Sequence, residues 1–121
     1  MQLTRGFRAL KLWMSLKVFG LEAFRRAIAR GINLAEQAEE MLRQSPCWEV
    51  VTPAQLGIIT FRYISNGRSS AELDILNQQI IEEMIVDGFA MLSSTVLRGQ
   101  TVLRLCTINP RTSEADILET I

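Results

Sequence analysis

The stretch IITFRYISNGRSSAELDIL, residues 58–76, holds the change of period that decides the fold. Its first seven residues alternate. Ile59, Phe61 and Tyr63 fall on one face, and Ile58, Thr60, Arg62 and Ile64 on the other, which is the two-residue repeat of a β-strand. Ser65-Asn66-Gly67 is a turn signal. Ser69 with Glu72 three residues later is a capping box: the hydroxyl takes a free N–H of the first helical turn, and the carboxylate reaches back. The helix it opens runs to about Val86 with Leu73, Leu76, Ile80 and Met84 inward, and Asp87-Gly88 stops it.

Upstream of this stretch, Trp48, Val50 and Thr52 alternate with Glu49 and Val51, a strand that gives way to Pro53 and Gly57. Before it, residues 21–44 follow the helical period. Phe24, Ile28, Gly31, Ala35, Ala38 and Leu42 line one stripe, joined by Ala27, Leu34 and Met41, and Arg25, Arg26, Arg30, Asn33, Gln37 and Glu40 fall opposite. Ser45-Pro46 ends that helix. Residues 7–19 form another, apolar over most of its circumference and so expected to be buried or bound to a partner, with Gly20 interrupting it. Downstream, residues 90–97 and 101–108 read as two strands joined near Arg98-Gly99-Gln100 as a hairpin. Ser113 and Asp116 cap a last helix that is still running at Ile121. The order α-α-β-β-α-β-β-α predicts an α+β layer, an antiparallel sheet with helices packed on one face.

Composition narrows the function. The 121 residues are 48% apolar, enough for one domain with a modest core. The 13 basic and 13 acidic side chains balance, so there is no surplus to neutralise a phosphate backbone, and a nucleic-acid partner is not expected. Apolar runs are short and broken by charges, so no membrane span is expected, nor is a signal peptide. The chain has no histidine, which removes Ser-His-Asp and Cys-His sites and His-ligated metals. Cys47 and Cys106 make no CxxC; two buried free thiols of a cytoplasmic protein are expected, with one disulfide as the alternative. The chain opens on an apolar helix and closes inside one, the pattern expected of a piece of a longer protein.

Arg104 is the sharpest single candidate. It stands in TVLRLCTI, residues 101–108, with Val102 and Cys106 on its face and Leu103 and Leu105 opposite. A guanidinium among such neighbours lies at an edge or is paired. It could also take a substrate carboxylate through two parallel hydrogen bonds. Salt bridge, edge rung and carboxylate anchor all remain open on the pattern alone. Lys11, between Leu10 and Leu12, is either a snorkelling lysine or, if desolvated, a nucleophile. Arg25, Arg26 and Arg30 read as a solvated helix face, with a phosphate or acidic-partner site as the alternative, and Trp13 and Phe19 as packing, with cofactor stacking as the alternative.

Three stretches together, RGFRALKLWMSLKVFG (5–20), QLGIITFRYI (55–64) and VLRLCTINPRTSEADI (102–117), resemble the C-terminal part of the pyridoxal-phosphate-dependent group II amino-acid decarboxylases. That family includes aromatic-L-amino-acid, glutamate and cysteine-sulfinate decarboxylases, and the first stretch is more similar to the aromatic branch. The resemblance implies the small C-terminal domain of a fold-type-I dimer, with residues 1–20 an interdomain helix packed on a large cofactor domain and residues 21–121 the small domain. It implies a carboxy-lyase that binds pyridoxal phosphate and releases carbon dioxide from an L-amino acid. It also implies that no catalytic residue is present here, because the Schiff-base lysine follows a histidine in the large domain. Neither Lys11 nor Lys17 matches it, and the cofactor is not expected on these residues alone. Arg5-Gly6 stands where the family has two adjacent arginines, which weakens any role assigned to Arg5. Arg104 matches the arginine that grips the substrate carboxylate in glutamate-type members. The alternatives are a stand-alone dimerisation module without catalysis, and the tail of a non-decarboxylating relative such as an aldehyde synthase or carbon–carbon lyase.

Overall fold

The computed structural model describes residues 7–121; Arg5 and Gly6 lie outside the described residues. Helix α1 spans Arg8–Phe19 and ends at Gly20, whose φ of 79° admits a glycine without strain. Helix α2 follows at once, Leu21–Gln44, and Ser45 leaves it in an extended conformation. Strands β1 (Trp48–Gln55) and β2 (Ile58–Tyr63) come next, then helix α3 (Ser70–Asp87), strands β3 (Ser93–Leu97) and β4 (Gln100–Cys106), and helix α4 (Glu114–Thr120). All strand pairs are antiparallel, in the order β1-β2-β4-β3. The expected α+β architecture and element order are what the molecule has.

The core lies between one face of the sheet and the helices. Ile59 and Phe61 of β2 and Leu103 and Leu105 of β4 meet Leu34, Ala38 and Leu42 of α2, Ile81 of α3 and Ile117 of α4. Trp48 adds edge-on aromatic contacts to Phe61 at 5.3 Å and Tyr63 at 5.6 Å between ring centroids. Both capping boxes form, Ser69 with Glu72 and Ser113 with Asp116. The hairpin turns at Leu56-Gly57 and Arg98-Gly99 have positive φ at both residues, the tight geometry that matches strand twist.

Three expectations needed correction or refinement. Strand β1 does not give way at Pro53 but runs through it to Gln55. It is an edge strand whose register slips after Val50 and again after Thr52, and a proline without an N–H is tolerated at such a bulged edge. The Glu39 carboxylate of α2 accepts the neighbouring Ala54 N–H at 2.7 Å. In α3 the fully buried positions are Asn77 and Ile81; Ile80 and Met84 pack half-buried against the core as expected, and Leu73 and Leu76 are half-buried. The Asn77 amide turns this face inward: it accepts from Tyr63 N–H at 2.8 Å and donates to the Tyr63 and Leu73 carbonyls at 3.0 and 2.8 Å. Finally, Cys47 and Cys106 are free thiols but exposed, not buried. Cys47 sits in the turn before β1, and Cys106 on the sheet face the helices leave uncovered.

The upper half of the α2 stripe is also less covered than its pattern suggests. Burial begins at Gly31; Ile28 is 61% exposed. Gly31 is where the helix touches the sheet's end. The Thr107 hydroxyl donates to Gly31 O at 2.6 Å, and a Cβ at Gly31 would come within 3.0 Å of the Thr107 carbonyl oxygen. Above this contact, Phe24, Ile28, Leu56, Ile108 and Pro110 line an apolar cleft of about 360 Å³.

Candidate functional site: a polar row across the open face

The sheet's second face carries the residues that alternate with the core. Register places four of them directly opposite one another across all four strands: Thr52 on β1 pairs with Thr60 on β2, Thr60 with Arg104 on β4, and Arg104 with Ser93 on β3. Directly opposed side chains point to the same face, so the row is continuous. The Thr52 and Thr60 hydroxyls share a hydrogen bond of 2.6 Å. Arg104 donates from Nε to the Ser93 hydroxyl at 3.0 Å.

Arg104 is neither of the two bland alternatives. Strand β4 is interior to the sheet, so Arg104 is not a rung of an edge strand. Among the described residues no carboxylate comes within 4.0 Å of its guanidinium, so it is not a salt bridge. It stands exposed, flanked by buried Val102 and Thr60, with one hydrogen bond. Among the described residues its two terminal nitrogens, Nη1 and Nη2, donate to nothing within the chain. A planar cation held this way is shaped to take a carboxylate.

The other candidates fare differently. Lys11 and Lys17 stand exposed on α1, Lys17 with its ammonium 5.8 Å above the Trp13 ring. Lys11 is therefore not the desolvated lysine a nucleophile requires. Arg25 and Arg26 are solvated, with Arg25 3.8 Å from Glu22, and Arg30 holds the Thr112 carbonyl at 3.0 Å. They make no anion site. With no histidine and both lysines on the outside of one helix, these residues do not fit pyridoxal phosphate.

Two groups escaped the sequence reading. One is Ser93, although a signal exists: counting back from the two-residue turn at Arg98-Gly99 places it opposite Arg104. The other surrounds Arg62, which is 2% exposed and bonds Asp74 Oδ1 and Ser70 O through Nη2, both at 3.0 Å. Asp74 Oδ1 also accepts the Thr101 N–H at 2.7 Å. No periodicity in the sequence marks Arg62 for burial; only the approach of α3 does.

The pyridoxal-dependent decarboxylase conserved domain matches residues 1–64. An aromatic-L-amino-acid decarboxylase of Bacillus atrophaeus is 53% identical over 119 residues, 98% of this chain and 25% of the relative. A phenylacetaldehyde synthase of Arabidopsis thaliana is 32% identical over 117 residues, 97% of this chain and 24% of the relative. The crystal structure of Oryza sativa TDC with PLP and tryptamine superposes with a TM-score of 0.83 at 26% identity, covering 95% of this chain and 25% of that one. The chain thus spans about a quarter of the length of the proteins it matches. Among the described residues no helix is long and apolar enough to cross a membrane. By sequence match and by fold alike, the chain belongs to the pyridoxal-dependent decarboxylase family.

Proposed function

We propose that these residues work as the small C-terminal domain of a longer, cytoplasmic, homodimeric pyridoxal-phosphate enzyme that decarboxylates an aromatic L-amino acid. The observation that carries this reading is the 53% identity, along almost the whole chain, to an aromatic-L-amino-acid decarboxylase. The reaction breaks the bond from Cα to the carboxylate, releases carbon dioxide and puts a proton on Cα, leaving an amine. The cofactor supplies the electron sink and is held by residues outside this chain. The part assigned to this chain is orientation: Arg104 receives the substrate carboxylate on the sheet's open face. A firm grip would steady the ground state as much as the transition state, so a single exposed arginine suits a group that must leave.

To residues 1–20 we assign the role of an arm packed on the rest of the enzyme. On α1 the apolar side chains point outward from this domain, Val18 72% and Phe19 68% exposed. A patch of that kind marks an interface.

The test is product analysis of the longer protein. Incubation with L-tryptophan, L-tyrosine or L-phenylalanine is expected to give carbon dioxide and the matching amine, and L-glutamate to give neither. Turnover of glutamate alone would overturn the aromatic assignment. A second reading, aldehyde formation, rests on the 32% identity to phenylacetaldehyde synthase. It predicts the aldehyde and ammonia in place of the amine, with one dioxygen consumed as the oxidant and reduced to hydrogen peroxide.

A further inference from the structure

We propose that Ser93 is a positioning residue for the carboxylate anchor, one that selects which edge of the Arg104 guanidinium faces the substrate. This inference rests on the reading of Arg104 given above. A guanidinium offers a carboxylate two bidentate edges, a lateral one made of Nε and one terminal nitrogen, and an end-on one made of Nη1 and Nη2. Here the lateral edge is taken: Arg104 Nε donates to the Ser93 hydroxyl at 3.0 Å. The two residues are direct cross-strand partners, so the hydroxyl is carried by the backbone ladder and not by a flexible loop. The end-on pair remains for the ligand.

The row gives this arrangement its direction. On its other side Arg104 faces Thr60, whose hydroxyl is already engaged with Thr52 at 2.6 Å. Among the described residues Ser93 is thus the side-chain acceptor that holds the guanidinium. The tight turn at Arg98-Gly99 fixes the register of the pair, and one hydroxyl on an edge strand sets the plane of a cation on an interior one. Without that hydroxyl the guanidinium can rotate about its long stem and present either edge, and the carboxylate plane is no longer dictated.

The experiment compares two inhibitors of the longer enzyme, 3-phenylpropionate, which has the carboxylate and no amine, and 2-phenylethylamine, which has the amine and no carboxylate. Ser93→Ala is expected to weaken 3-phenylpropionate roughly 10- to 150-fold, the range for a hydrogen bond to a charged group, and to leave 2-phenylethylamine unchanged. Ser93→Thr restores the hydroxyl and is expected to restore binding, and Ser94→Ala, one residue along, to change neither. Ser93→Cys, nearly isosteric with a poor acceptor, takes the place of Ser93→Ala if that variant melts early. Equal loss of both inhibitors in Ser93→Ala or Ser93→Cys, or no rescue by threonine, would overturn the proposal as a merely structural effect. Arg104→Ala separates the two claims. If it abolishes the preference for the carboxylate while Ser93→Ala does not touch it, Arg104 is the anchor and Ser93 is not its positioner. If Arg104→Ala leaves 3-phenylpropionate binding intact, the anchor reading itself is wrong and Ser93 has nothing to position.

Discussion

Arg62 and Arg104 stand on the two interior strands, on the same face of one sheet, and they are held in opposite ways. Arg62 is 2% exposed and tied to α3 by Asp74 and Ser70, with its Nε unpartnered among the described residues. Arg104 is exposed and, among the described residues, tied only to Ser93. The difference comes from what lies beyond each side chain. The N-terminal turn of α3 closes over the end of the sheet near Arg62 and brings a carboxylate with it. Arg104, farther along the same face, stays exposed although its neighbours Val102 and Thr60 are buried. One guanidinium is thereby committed to the fold, and the other keeps its end-on donors for something else.

The strongest way to break this contrast is to remove the partner of the buried cation. Asp74→Ala leaves Arg62 without its counter-charge and Thr101 N–H without its acceptor, and is expected to cost about 3 kcal/mol in urea unfolding. Arg62→Met, which removes the charge as well as the bond, should cost less, because the 30% exposed Asp74 can turn to water. If the two variants were equally damaging, charge burial would not be what distinguishes Arg62. Next in size is Asn77→Ala. It strips both backbone groups of Tyr63 of their side-chain partner beside the same α3 contact, and about 2 kcal/mol is expected in the same measurement.

Acid probes the next tier. The carboxyl of Glu39 is held below the usual carboxylate range by the Ala54 N–H and then by Arg43, and those of Glu72 and Asp116 by the N–H and hydroxyl of their capping serines. A carboxylate whose folded pKa lies below its unfolded one stabilises fully above the unfolded value, and that contribution disappears as pH falls through the folded value. Melting temperature is therefore expected to hold from neutral pH down to roughly pH 5 and to fall below roughly pH 4. Glu39→Gln should flatten part of that fall. An unchanged acid limb in this variant would remove Glu39 from the account.

The smallest effect is the most telling. Arg104→Ala should change unfolding free energy by less than about 0.5 kcal/mol, as expected of an exposed side chain with one hydrogen bond. A cost comparable to Asp74→Ala would make the two arginines alike and turn Arg104 into a structural residue. A neutral result with loss of turnover in the longer enzyme would sharpen the contrast to its limit.

Much of this was legible because local chemistry is written in short spacings. The strand Ile58–Tyr63 showed in strict alternation, the start of α3 in Ser69 and Glu72, and the stops in Gly20 and Gly88. Arg104 was legible as an anomaly in an apolar strand. Pro53 misled because its meaning depends on whether a strand lies at an edge, and a proline does not report its neighbours. The cysteines misled for a related reason: the burial of a small apolar residue is decided by what packs over it. Arg62 was invisible as a buried residue, since its partner Asp74 is twelve positions away on another element.

By itself, then, the sequence determined the element order, both capping boxes, the hairpin turn at Arg98-Gly99 and the alternation of the strands. All of these rest on interactions within a few residues or on one repeating period. The tertiary structure alone decided which strands are interior, which arginine is sealed beneath α3, and which cation is left facing outward beside Ser93. Those outcomes depend on elements far apart in the chain arriving together, and on the charges and hydroxyls they bring into reach when they do.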